Sequence, residues 1–523
     1  MRRLFLATIA VAVVTACLSV AASAETVLKV ATSADVKVLD PIWSGAYVTR
    51  NYGYMVYDTL FAADDKFQVR PQMVDSWTTS PDGLTWTFKL RDGLEWHDGQ
   101  PVTAEDCVAS LKRWSARDSM GQRIAAILSE YRVVDARTFQ IVLKEKFGPL
   151  LDALGRPSVV VPFMMPKKVA ETDPFKQIDV YTGSGPFILK QDEWKPGEKM
   201  VFVKNMKYKP RAEPASGLAG GKVVGVDRVE WLSLPDVGTQ VNALIAGEID
   251  VIDSLDFDHL PMMEKAKGVQ ILKRSVSNQY VFRMNWRTPP FNDVRMRRAV
   301  AYALSQEEFL QASVGNPAYY RTCKAMFTCG SPLESTAGME GLLDGNAAKA
   351  KALLAEAKYD GTPIVIPQPT DLQSIRQLAP VAKAQLERAG FKVEVLPMDW
   401  QSMNARLEKK GPPSEGGWNA FGTGWSQMDI LNPLTTAFLI ATCDKARAGW
   451  PCDEKLEELR GKFAQANTLA EQKASADAVQ TYAMQVVTHI PLGEWFAVGA
   501  ARSNVTFPQP LPPVPVFWGI TKK

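Results

Sequence analysis

The chain has 523 residues, of which 46% are hydrophobic, 22% charged and 9% aromatic. That composition excludes disorder, collagen and coiled coil, and a chain this long can bury a core without staples. Lys+Arg total 60 against 57 Asp+Glu, so there is no basic footprint for nucleic acid, and three histidines leave little for a metal centre.

Residues 1–24 carry Arg2-Arg3, an apolar run from Leu4 to Ala16 and the small-residue site Ala22-Ser23-Ala24. This is the pattern of a secretory signal peptide cleaved after Ala24. A run this short would span only about 20 Å as a helix, against the ~30 Å of a bilayer core. Val14-Thr15-Ala16-Cys17 resembles a lipoprotein box, which leaves a lipid anchor through Cys17 as the alternative.

Residues 26–31 read as a first strand. Thr85–Leu90 alternates with period two, between the turn residues Pro81-Asp82-Gly83 and Asp98-Gly99. Thr103 then caps an amphipathic helix, with Asp106 at its third position. Residues 131–145 form a hairpin around Asp135-Ala136-Arg137. Gly183-Ser184-Gly185-Pro186 breaks the chain, and Gly217–Lys222 reads as a flexible insertion that only loosely resembles a phosphate loop. A helix is expected over 237–246 and a strand over 247–253. Beyond 283, helices at 294–305, 347–357 and 378–390 alternate with strands at 363–367 and 391–398, the mark of an α/β lobe. The stretches 411–417 and 508–515 are loops.

In an exported chain, Cys323 with Cys329 and Cys443 with Cys452 should close as two local disulfides. Cys107 is left as a buried thiol. Zinc is not expected, because neither pair has C-x-x-C spacing or a neighbouring histidine. There is no G-x-S-x-G, H-E-x-x-H or Rossmann glycine motif, so no catalytic residue is assigned and no cofactor is called for. His97, His259 and His489 read as structural.

Five separated blocks carry a resemblance. They are Ser76-Trp77 through Ala104-Glu105-Asp106; Gly183–Phe187; Gly247-Glu248-Ile249-Asp250; Asn285 with Pro290–Ala299; and Gly424-Trp425 with Asp429 and Asn432-Pro433. Together, and in this order, they resemble the family 5 extracellular solute-binding proteins of ABC importers, the dipeptide/oligopeptide/nickel-binding group. The resemblance implies an α/β, two-lobed periplasmic binding-protein fold of the cluster C type, with mixed sheets, a hinge and an inserted third domain. Domain Ia takes 25–68, 183–284 and 489–523, domain Ib takes 69–182, and domain II takes 285–488. It implies a monomer that encloses a peptide or other small polar solute between Ia and II and delivers it to an inner-membrane permease with its ATPase.

A solute trap needs aromatic walls and a few charges. The candidates are Trp43, Tyr47, Tyr280, Trp400, Trp425 and Asp429. In peptide-binding relatives an aspartate after Gly-Trp grips the ligand's α-amino group, and Asp429 is the nearest match. Where dipeptide binders carry an arginine for the ligand carboxylate, PQPTDLQ (367–373) has none. Asp371 stands near that position, with Arg376 beyond it. An acidic residue there favours a cationic or polyhydroxylated ligand, or leaves room for a longer one. With no histidine near Trp425, nickel is disfavoured. An exported hydrolase, or a chemosensory or chaperone-like binder on the same fold, are the rival readings.

Overall fold

Two strands are too long to belong to one lobe. Val269–Met284 has 16 residues and His489–Arg502 has 14. At ~3.3 Å per residue the longer one extends about 50 Å. In the computed structural model, which describes residues 25–523, these strands pair antiparallel from Val269↔Arg502 to Arg283↔His489. Their register shifts between Lys273 and Ser277 and again between Gln279 and Val281. On one side of the first shift His489–Arg502 pairs with Val251–Leu255. On the other side Val269–Met284 pairs with Ala420–Ser426. One nine-stranded sheet therefore runs through both lobes.

The first-lobe half is parallel at its centre. Val27–Ala31 lies between Arg228–Leu232 and Val251–Leu255, and antiparallel Lys199–Lys204 and Phe187–Leu189 extend the edge. The crossover helix Val237–Ala246 starts at Asp236, whose carboxylate accepts from the Thr239 amide, and ends at Gly247 with φ 81°. That left-handed end costs glycine nothing. It also delays the next strand, which begins at Val251 and not at 247. Asp250 in the gap is held by the Lys29 amide and the Lys522 ammonium.

The segment 69–182 builds its own four-stranded antiparallel sheet from Val74–Thr79, Thr85–Leu90, Thr138–Leu143 and Leu128–Val133. Helix Ala104–Arg117 opens with a full capping box between Thr103 and Asp106. Its Cys107 is buried and unpaired, and burial raises the thiol pKa. In the second lobe, Ile364–Pro369 and Val393–Met398 form a parallel pair only two strands wide. Asn419 joins this pair to the main sheet, accepting from the Val365 amide at 2.8 Å and donating its own amide back at 3.0 Å. The helix expected over 294–305 stops at Ala303, because Ser305 already precedes the next helix, Gln306–Ser313.

Gly217–Lys222 is not a flexible insertion. Lys222 is fully buried, 2.7 Å from Asp58 and over the Trp518 ring. Gly217 is required because a Cβ there would lie 2.6 Å from the Asp64 backbone. Both disulfides, Cys323–Cys329 and Cys443–Cys452, are present. Among the described residues no helix is long and apolar enough to cross a membrane. The signal peptide and Cys17 lie outside the described residues.

Candidate functional site

Two of the contacts between the lobes bear on ligand capture. At the first, Asp429 projects from the one-turn segment Gln427–Asp429 that ends strand Ala420–Ser426. It is 4% exposed. Its two carboxylate oxygens accept from the hydroxyls of Tyr47 and Ser158, both in the opposite lobe. Arg156 steadies Ser158 at 3.2 Å and pairs with Asp118 at 2.8 Å. Burial, then the charge of Asp429, raises the Tyr47 pKa, so this hydroxyl is a donor at neutral pH. Among the described residues Asp429 has hydroxyl donors but no ion-pair partner.

Arg50 lies one helical turn beyond Tyr47 on helix Tyr47–Val56, with its guanidinium 4.8 Å from the Tyr47 ring centre. It is 5% exposed. Nε and Nη2 donate to Asn51 Oδ1 at 3.2 and 2.9 Å, and Nη1 has no partner. Burial lowers its pKa, against the pull of Tyr54, Asp429, Tyr47 and Asp253. Asp253 is already paired with Arg274 at 2.5 Å, and burial raises its pKa. Arg50 and Asp429 are thus two buried, opposite charges, each short of a charged partner.

At the second place Gln373 and Arg376 of one lobe reach Asp258 of the other, Arg376 at 3.6 Å. Beside them lies a cavity of about 710 Å³. Its walls come from residues 32–37, 233–240 and 254–258 of the first lobe and from 312–313 and 372–377 of the second. Hinge-strand residues Trp495 and Ala497 contribute too. Hydroxyls of Thr32, Ser33, Ser233, Ser254, Ser313 and Ser374 line it, together with Phe257 and Leu372. Its carboxylates Asp35, Asp256 and Asp258 are engaged by the Gly197 amide, by His259, and by Gln373 and Arg376 respectively. This is the size and mixed polarity of a small-molecule site.

The seven residues singled out in the sequence fall into separate places. Tyr47 and Asp429 meet directly. Tyr280 is fully buried behind the cavity wall, stacked on Trp495 with ring centres 5.6 Å apart and donating to the Ser374 carbonyl at 2.8 Å. Trp400 and Trp425 line a different cavity, walled by residues 400–450 and by Arg283 of the crossing strand. Trp43 lines neither. Its indole donates to the Phe175 carbonyl at 3.2 Å and faces Arg117. Asp371 accepts from the Trp400 amide at 2.8 Å, so it braces the start of helix Trp400–Leu407. Arg50, Ser158 and Trp495 were missed. Arg50 had a signal, a charge inside an otherwise buried helical run. Ser158 had none.

Comparison with known proteins completes the picture. Residues 68–446 match the family model described as "Bacterial extracellular solute-binding proteins, family 5 Middle". The chain is 38% identical over 498 residues to "Probable peptide ABC transporter periplasmic-binding protein y4tO" of Sinorhizobium fredii, spanning 93% of this chain and 92% of that one. It is 24% identical to the glutathione-binding protein GsiB of Escherichia coli, over 95% of this chain and 94% of the other. Among solved structures, a dipeptide binding protein from Pseudoalteromonas in complex with Met-Leu superposes with TM-score 0.76 at 17% identity, covering 95% of this chain and all of that one. MoaA from A. tumefaciens, in complex with mannopinic acid, does so with TM-score 0.76 at 21% identity, covering 96% and 100%. The fold is the two-lobed α/β arrangement of these binding proteins.

Proposed function

The chain belongs to the family 5 bacterial extracellular solute-binding proteins, and on that premise we propose that it captures a zwitterionic, peptide-like solute between its lobes. It is the substrate-binding component of an ABC importer, working in the periplasm as a monomer and handing its cargo to a permease with an ATPase. The relatives named above bind, by their names, a peptide, glutathione, Met-Leu or mannopinic acid. They are binding proteins and not enzymes.

One observation carries this reading. Asp429 and Arg50 face the same lobe boundary, buried, opposite in sign and each without an ion-pair partner. A buried charge is tolerated when something pairs with it. A ligand ammonium takes Asp429, displacing the Tyr47 and Ser158 hydroxyls. A ligand carboxylate takes the free Nη1 of Arg50. The rest of the solute extends into the hydroxyl-lined cavity, with Tyr280 and Trp495 as its backing. Arg50, on the first lobe, does the work of the arginine that 367–373 lacks. Arg376 is engaged with Asp258 instead.

Domain Ia is then 25–68, 183–284 and 489–523, Ib is 69–182, and II is 285–488. The hinge lies between the register shift at Lys273 and Ser277, where the pairing of the two crossing strands is interrupted, and the start of domain II at 285. Closure follows from the ligand's better affinity for the closed form and is limited by that difference.

The test is a melting and small-angle scattering screen with dipeptides, tripeptides, glutathione and opines. A binding solute raises the melting temperature by mass action and shrinks the radius of gyration. No shift in either measurement across the panel overturns the reading.

A further inference from the structure

We propose that the cleft between the segment 148–157 and the second lobe holds a separate site for a small primary ammonium with an apolar body, with Asp152 as its counter-ion. The cavity there is about 370 Å³. Its first-lobe walls come from 63–69, Trp86 and 148–157, and its second-lobe walls from 332–333, 428–435 and 463–472. It shares no lining residue with the hydroxyl-lined cavity of about 710 Å³, so it is not part of the space proposed for the cargo.

Only two charged residues line this cavity, Asp152 and Arg156. Arg156 is already engaged: Nη1 pairs with Asp118 at 2.8 Å and Nη2 donates to Ser158 at 3.2 Å. Asp152, on the short helix Leu150–Leu154, has no ion-pair partner among the described residues. Burial pushes its pKa up to about 6, opposed only by a hydrogen bond from Gln472 across the boundary. At neutral pH it is therefore a carboxylate without a counter-ion. Such a group is costly until a cation pairs with it. The walls around it are largely apolar, with Phe67, Trp86, Leu333, Leu431 and Phe463 among them.

Two glycines explain how the site arises. The Gly148 amide donates to the Ala464 carbonyl at 3.1 Å, and a Cβ at 148 would overlap the Ala466 carbonyl, so the lobes meet there backbone to backbone. At the other end of the helix a Cβ at Gly155 would lie 2.6 Å from Val69 Cγ1. Between these two close approaches Leu151 and Asp152 stand over a gap that the second lobe closes. A metal ion is poorly served, because no second carboxylate, histidine or thiol lines the space. A neutral apolar guest would leave Asp152 unpaired. A primary ammonium gives the carboxylate a charge-assisted hydrogen bond and gains from the faces of Phe67, Trp86 and Phe463, while its apolar body fills the rest. Such an occupant bridges the two lobes.

Isothermal titration of the cargo-free protein with phenethylamine, 2-phenylethanol and phenylacetate at neutral pH tests this. Wild-type protein should bind one phenethylamine at least about tenfold tighter than the alcohol, and phenylacetate should show no saturable binding. Asp152→Asn should weaken phenethylamine about tenfold or more. Asp429→Asn, which removes the carboxylate proposed for the cargo, should leave phenethylamine binding in place, so failure of this site and failure of the cargo reading are told apart. If Asp152→Asn fails to fold, Leu431→Trp fills the cavity from the opposite lobe, leaves the carboxylate untouched and should abolish binding. No saturable phenethylamine binding, equal affinity for the alcohol, binding lost in Asp429→Asn but kept in Asp152→Asn, or a Leu431→Trp variant that binds like wild type would each overturn the proposal.

Discussion

Arg113 and Arg50 are both buried arginines of the first lobe, and their surroundings are opposite. Arg113, 1% exposed, pairs with Asp40 at 2.7 Å and donates to the carbonyls of Thr172, Asp173 and Lys176. It ties helix Ala104–Arg117 to the segment before helix Tyr47–Val56. Arg50 has one side-chain acceptor and an idle Nη1. Each leaves one guanidinium nitrogen idle, Nε in Arg113, so the difference is the carboxylate: a buried cation paired with one locks two elements together. A buried cation without one at a lobe boundary is poised for something the chain does not contain.

The largest expected effect separates the two. Arg113→Met leaves the Asp40 carboxylate buried and unpaired, and should cost about 3–5 kcal/mol of stability in urea unfolding. Arg50→Met removes a charge that is already short of partners. It should leave stability nearly unchanged while weakening solute capture. Equal destabilisation by both would break the comparison.

The disulfide Cys443–Cys452 comes next. Its loop of nine residues' separation constrains the unfolded chain, for about 2–3 kcal/mol on the loop-entropy model. Replacing both cysteines by serine should lower urea stability by about that amount.

Asp429→Asn sharpens the contrast from the acidic side. The amide oxygen still accepts from one of the Tyr47 and Ser158 hydroxyls and the amide nitrogen donates to the other, so closure of the empty protein is preserved. It no longer offers a charge to an ammonium, and binding should weaken by about 1–3 kcal/mol, read by titration with the solute the screen identifies. Unchanged affinity would place the ammonium elsewhere.

These contrasts also mark what was legible in the chain. Short-range chemistry was. The Thr103–Asp106 box, the helix Val237–Ala246 and both cysteine pairs rest on contacts between residues a few positions apart. The Asp429–Ser158 contact joins residues 271 positions apart, and no local pattern announces it. Trp425 and Tyr280 read alike as aromatic strand residues. Only the pairing register decides that they face opposite cavities. The α/β alternation after 283 was correctly periodic, but periodicity does not count partners. The parallel sheet stops at two strands because Asn419 passes the edge on to the strand beginning at Ala420.

Asp152 offers the mildest test and a mirror of Arg50. It lines a cavity of about 370 Å³ between residues 63–69 and 148–157 on one side and 428–435 and 463–472 on the other. Burial pushes its pKa up to about 6, opposed only by a hydrogen bond from Gln472. An unfolded aspartate titrates near ~3.9. The folded protein therefore holds this proton more tightly than the unfolded chain does. Its contribution to stability is complete below about pH 4 and is lost as the pH rises through about 6. Asp152→Asn cannot titrate, so its stability should change less between pH 4 and 6 than that of wild type, with the two curves diverging as the pH rises. Urea midpoints measured across that window read the difference directly. Parallel curves would mean that water entering from the cavity already solvates the carboxylate. A buried charge short of partners would then be a property of the Arg50–Asp429 boundary and not of every cleft in the molecule.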